Sequence, residues 1–82
     1  MNPRRYFFDI HADRVVRDLD GEPLADDAAA RDVAVRIAAE LLPVHAPQLA
    51  RIGRLVIAVR DETGAVLHEL ECRLISHPAA AD

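Results

Sequence analysis

Asp26-Asp27-Ala28-Ala29-Ala30-Arg31-Asp32-Val33-Ala34-Val35-Arg36-Ile37-Ala38-Ala39-Glu40-Leu41-Leu42 is the only run of this chain with an unbroken helical period. Ala30, Val33, Ala34, Ile37, Ala38 and Leu41 recur at spacings of three and four and fall on one face, so the run reads as an amphipathic helix. Asp26 or Asp27 caps its start, the other placing a carboxylate beside the positive end of the helix dipole, and Pro43 stops it. The opposite face pairs Asp27 with Arg31, Asp32 with Arg36 and Arg36 with Glu40, the pattern of a solvated surface. A single apolar stripe calls for a sheet as its partner.

Strands flank the helix on both sides. Arg5–His11 alternates Tyr6, Phe8 and Ile10 against Phe7, Asp9 and His11, and Val15–Asp18 is a short return strand after the polar connection Ala12-Asp13-Arg14. Asp18-Leu19-Asp20-Gly21 then reverses the chain, and Glu22–Ala25 leads into the helix. Beyond Pro43, residues 44–53 are either a short helix with Pro47 in its first turn and Gly53 as a left-handed terminator, or an extended linker. Leu55–Arg60 is apolar on both faces, which suits a central strand. Asp61-Glu62-Thr63-Gly64 turns the chain into a last strand, Val66–Ile75, whose Val66, His68, Leu70, Cys72 and Leu74 alternate with Leu67, Glu69, Glu71, Arg73 and Ile75. A bulge near that turn would change the facing of Val66 and Leu67.

The order β-β-α-β-β predicts a two-layer α+β domain over 1–78, a four-stranded antiparallel sheet with one main helix on one face, and a frayed tail at 79–82. Val16–Leu24 and Val59–Leu67 share the pattern V-R-D-x-x-G-x-x-L, which reads as a duplicated hairpin or as the same turn chemistry reached twice.

Eighty-two residues make one domain that buries about 60–65% of the surface of its unfolded chain. A net charge of −4 argues against general affinity for phosphate backbones or anionic lipid, so neither a nucleic-acid partner nor a membrane is expected. All ten basic residues are arginine, the mark of a GC-rich bacterial genome. The lone Cys72 excludes an intrachain disulfide or a cysteine zinc cluster and fits a reducing cytoplasm. Three aromatic residues before Asp9 are too few for a secretion signal, and no stretch approaches a membrane-spanning length.

Pro3-Arg4-Arg5-Tyr6-Phe7-Phe8-Asp9-Ile10, then Asp18-x-x-Gly21-x-x-Leu24, the alanine-rich helix and Val59-x-Asp61-Glu62-x-Gly64 together resemble a family of small bacterial proteins known as a domain of unknown function. The resemblance covers nearly the whole chain, with the second arginine before Tyr6 as an addition to the usual opening. It implies a fold and hands over no catalytic residues. The strand-strand-helix portion is also similar in layout to the antitoxin half of some toxin–antitoxin pairs.

Candidate chemistry is sparse. Asp9 and His11 share a strand face, but two ligands leave most of a metal's coordination unfilled, and His68 and Cys72 stand about 13 Å apart along a strand, which reads as a half-buried histidine and a core thiol. His45 and His77 sit beside prolines, Ser76 is the only serine, and three glycines provide no phosphate loop. No catalytic, cofactor or metal residue is therefore assigned, although a small enzyme with a site between subunits stands as a third reading. Phe7, Arg17, Arg60 and Arg73 imitate a single-strand nucleic-acid platform, yet Asp9, Glu69 and Glu71 share that face.

The favoured expectation is a non-enzymatic interaction module that forms a homodimer. The helix covers the side holding Tyr6, Phe8, Ile10, Leu55, Ile57, Val59, Leu70 and Leu74. Phe7, Val56 and Ala58 then face out within a border of Asp9, Arg60, Glu69, Glu71 and Arg73, with Arg60 and Arg73 placed to meet Glu69 and Glu71 of a second copy. Pairing through the edge of the last strand is the competing geometry. At physiological salt, binding to mixed oligonucleotides is expected to be no tighter than about 10 μM; a salt-sensitive submicromolar titration would favour a nucleic-acid-associated or antitoxin-like regulator instead.

Overall fold

The computed structural model describes residues 3–79. The expected tail therefore lies outside the described residues apart from Ala79. The elements follow as β1 (Arg4–His11), β2 (Val15–Val16), β3 (Glu22–Leu24), α1 (Asp27–Val44), α2 (Ala46–Ile52), β4 (Arg54–Arg60) and β5 (Val66–Arg73). All strand pairings are antiparallel in the order β2-β1-β4-β5, with β3 also paired to β1, and α1 packs on one face. The two-layer α+β architecture is as the sequence predicts. Among the described residues no helix is long and apolar enough to cross a membrane.

The sheet differs from the four-strand expectation along one edge. β2 ends at Val16 rather than Asp18, and Glu22–Leu24, read as a lead-in to the helix, pairs with Arg4–Tyr6. Between Ile10↔Val16 and Tyr6↔Glu22 the register advances by two residues. The Phe8 N–H donates to Asp18 Oδ2 at 3.1 Å, so a side-chain carboxylate stands where an edge-strand carbonyl would have been. β2 and β3 are thus one edge strand interrupted by an excursion over residues 17–20.

Asp26 caps α1, accepting the Ala29 N–H at 2.8 Å. The predicted stripe is the buried one: Ala30, Val33, Ala34 and Ala38 are covered, with Ile37 and Leu41 partly so. Asp27 is turned from Arg31 toward the sheet, where it accepts the Tyr6 hydroxyl at 2.6 Å and lies 3.7 Å from Arg4. Pro43 does not stop the helix but sits in its last turn, since a proline there removes one amide bond just before the helix ends. Of the two readings for 44–53 the short helix is the observed one. His45 donates its N–H to the Leu41 carbonyl and accepts the Leu49 N–H, and Gly53 terminates α2 at φ +84°.

β4 is central, and all of Leu55–Val59 is buried. Tyr6, Phe8, Ile57 and Val59 meet the α1 stripe, joined by Leu70 and Cys72 from β5. The bulge falls between Val59↔His68 and Arg60↔Val66, and Leu67 packs against the core with it. Leu74 lies past the end of β5 and is half exposed rather than under the helix.

Two glycines have positive φ in the Asp-x-x-Gly turns, at +70° for Gly21 and +90° for Gly64. A Cβ on Gly64 meets open space, whereas one on Gly21 falls 2.8 Å from the Phe7 ring and 2.9 Å from Arg5 Cγ. Gly64→Ala is therefore expected to cost about 1 kcal/mol from backbone strain alone, and Gly21→Ala about 2–3 kcal/mol because overpacking is added. Urea unfolding of the two variants checks the order, and equal losses would show that the approach to Phe7 yields without cost.

Candidate interaction surface

Phe7, Asp9, Val56, Ala58, Arg60, Glu69, Glu71 and Arg73 are brought together on the sheet face away from α1. Cross-strand rows place Phe7 beside Arg60, Ala58 between Asp9 and Glu69, and Val56 between His11 and Glu71. The face is not the open apolar patch that the sequence suggests. Val56 and Ala58 are buried, because their short side chains lie in the shadow of longer charged neighbours on either side.

The charges of this face are largely matched within the chain. Arg60 Nε donates to Asp9 Oδ2 at 2.7 Å, its Nη2 to the Asp18 carbonyl at 2.8 Å, and its guanidinium carbon lies 4.5 Å from the Phe7 ring centre. Asp9 Oδ1 also accepts the Asp18 N–H at 2.9 Å. Asp9 is 6% exposed, so this is a buried ion pair, with the backbone of the 17–20 excursion fastened to it. Arg73 bonds Glu71, and Arg54 Nε donates to the same carboxylate at 2.6 Å. Arg60 and Arg73 are thus already engaged by carboxylates of their own chain.

Three aspartates are held in their charged forms by the fold. Burial alone would push the Asp9 carboxyl up, but Arg60 and the Asp18 N–H outweigh it and hold the group below its ordinary range. Asp18 is likewise lowered against its burial by the N–H groups of Gly21, Phe8 and Asp20. The Thr63 hydroxyl, at 2.6 Å, is the largest influence lowering Asp61, and the Thr63 and Ala65 N–H groups add to it. Asp18 and Asp61 occupy matching places in the V-R-D-x-x-G repeat. Each gathers nearby amides on one carboxylate oxygen, which is the shared turn chemistry behind the echo.

Both Asp9 oxygens are taken up in this way, which leaves His11 exposed without it as a co-ligand. His68 is half-buried with Nε2 3.1 Å from the Asp27 carbonyl, and Cys72 is half-buried against the core. The Tyr6 hydroxyl is shifted upward by its bond to the Asp27 carboxylate and by burial. Sequence reasoning missed Asp18, whose only signal was its place in an Asp-x-x-Gly turn.

The remaining feature is an edge. Successive amides of a strand point to opposite sides. Phe8 N–H faces Asp18, so Phe7, Asp9 and His11 bond β4 through Arg60, Ala58 and Val56. Leu55, Ile57 and Val59 then bond Cys72, Leu70 and His68, and the amides of Glu69, Glu71 and Arg73 point away from the sheet. No described strand lies beyond them.

The molecule is a small two-layer α+β domain, with the short, interrupted β2/β3 at one sheet edge and the longer β5 at the other. It belongs to the family described as Domain of unknown function (DUF6894), whose model matches residues 5–73. Searches of the curated proteins and of the solved structures return no match.

Removing one member of a buried pair strands the other charge, so Arg60→Met is expected to cost about 3 kcal/mol, and Asp9→Leu added to it should restore part of the loss. Urea denaturation of the single and double variants checks this. Depressed folded-state pKa values also fix an acid dependence. Their contribution is present above the unfolded carboxylate value of about 4 and is lost as pH falls through the lower folded values, so the melting temperature should drop below about pH 4. Asp9→Asn should flatten that slope while lowering stability at neutral pH.

Proposed function

We propose that this domain is a small non-enzymatic interaction module with a regulatory or adaptor role in the cytoplasm, and that it self-associates as a homodimer. The observation that carries this reading is the open edge of β5, whose outward amides meet no described strand. A long free edge is a template for another strand, whether of a copy or of a different protein. The charged face favours the edge over the sheet face as the contact, because Arg60 is held in a buried pair with Asp9 of the same chain. The same engagement weighs against the single-strand nucleic-acid platform, which needs Arg60 free. An interaction role also suits carboxylates held ionised by N–H and guanidinium donors, which leaves them ill placed to exchange protons near neutral pH.

Glu69→Pro is the discriminating variant. It removes an N–H that faces away from the sheet and leaves the β4 ladder intact. Sedimentation across a wide concentration range is expected to show a dimeric wild type and a monomeric, folded Glu69→Pro. A monomeric wild type would sink self-association, and a dimer indifferent to proline would move the contact off this edge.

A further inference from the structure

We infer that β5 pairs with β5 of a second copy, antiparallel and centred on Cys72, so that Glu71 of each chain faces the partner's Arg73. This rests on the proposed self-association and specifies its register.

The charges on the edge select the register. The outward-facing residues are Glu69, Glu71 and Arg73. A two-fold axis at Glu69 sets that residue against itself, and one at Leu70 sets Glu69 against the partner's Glu71 twice. An axis at Glu71 or at Arg73 again opposes identical charges. Only an axis at Cys72 brings Glu71 and Arg73 together on both sides of the centre, where the solvent-facing Arg73–Glu71 contact within each strand is exchanged for one across the axis; opposite charges directly across an antiparallel pair attract where like charges repel. Among axes from Glu69 to Arg73 the edge charges thus favour one alignment, while an axis at His68 crosses the bulge and one at Leu74 leaves Glu71 without Arg73 opposite.

Three further observations agree with that axis. The paired segment would run from Glu69 to Ile75, clear of the bulge at the start of β5. The Leu74 N–H still donates to the Gly53 carbonyl at 2.9 Å, so the strand course holds one residue past Arg73. Leu74 and Ile75 are 51% and 63% exposed, and in this register Leu74 would lie across from the partner's Leu70. Leu70 borders a groove of about 480 Å³ between α1 and β5, lined also by Arg31, Ala34, Val35, Leu67 and His68. The incoming leucine would cover its apolar wall. Cys72 would face the partner's Cys72 in a non-hydrogen-bonded pair, a separation of about 4.5 Å between Cα atoms that lies within disulfide range.

Two measurements on the whole chain test the alignment. Mild oxidation of the wild type should give a disulfide-linked dimer, lost in Cys72→Ala, whereas Cys72→Ala/Glu71→Cys should link far less. The single variants Glu71→Arg and Arg73→Glu should each weaken the homodimer by about tenfold, and an equimolar mixture of the two should form a heterodimer by sedimentation. A dimer abolished by Glu69→Pro that links through Glu71→Cys but not through Cys72 would overturn this register and leave edge pairing standing. A monomeric wild type would overturn both.

Discussion

The contact between Asp9 and Arg60 is the constraint to which the outer half of this structure is tied. Bringing a carboxylate and a guanidinium out of water costs several kcal/mol per ion unless their remaining hydrogen-bonding groups are also met. Here they are met by backbone. Asp9 takes the Asp18 N–H, Arg60 gives to the Asp18 carbonyl, and the Phe7 ring covers the guanidinium. The pair therefore does more than join β1 to β4, since it fixes the place of residues 17–20 and lets Asp18 aim its carboxylate at the Phe8 amide.

Asp27 plays the corresponding part on the helix side. From the first turn of α1 it receives the Tyr6 hydroxyl, stands near Arg4, and offers its carbonyl toward His68. One residue thus links the helix start to β1 and β5. Tyr6 is fully buried, and the bond to a carboxylate meets the demand that a buried phenol places on its surroundings. The two faces of the sheet are organised alike, each by one aspartate that gathers donors from separate elements.

The two edges of the sheet contrast. At the β2/β3 edge the interruption in the strand is filled by a side chain, and Gly21 allows the backbone to lie close to Phe7. β5 is longer, no described strand lies beyond its outward amides, and Glu69, Glu71 and Arg73 stand beside them. Membership of a family without an assigned function leaves this contrast as the feature on which a functional reading can be built.

What the sequence determined by itself is what neighbouring residues decide. The period of the helix, its Asp26 cap, the alternation of β1, the doubly apolar β4 and the Asp-x-x-Gly turns all depend on interactions within a few positions, and each is legible in the residues. The tertiary structure alone decided what depends on strand order and register. The Asp9–Arg60 pair spans 51 positions, and no local pattern announces that these two charges will share a buried site. Glu22–Leu24 carries a proline and too few apolar residues to read as a strand until β1 lies beside it. Val56 and Ala58 look exposed by alternation, and only their charged cross-strand neighbours bury them. Alternation assigns side chains to faces, but which strand ends a sheet follows from how the chain crosses over, so the sequence offers an edge position for the last strand only as a competing geometry and the fold decides it.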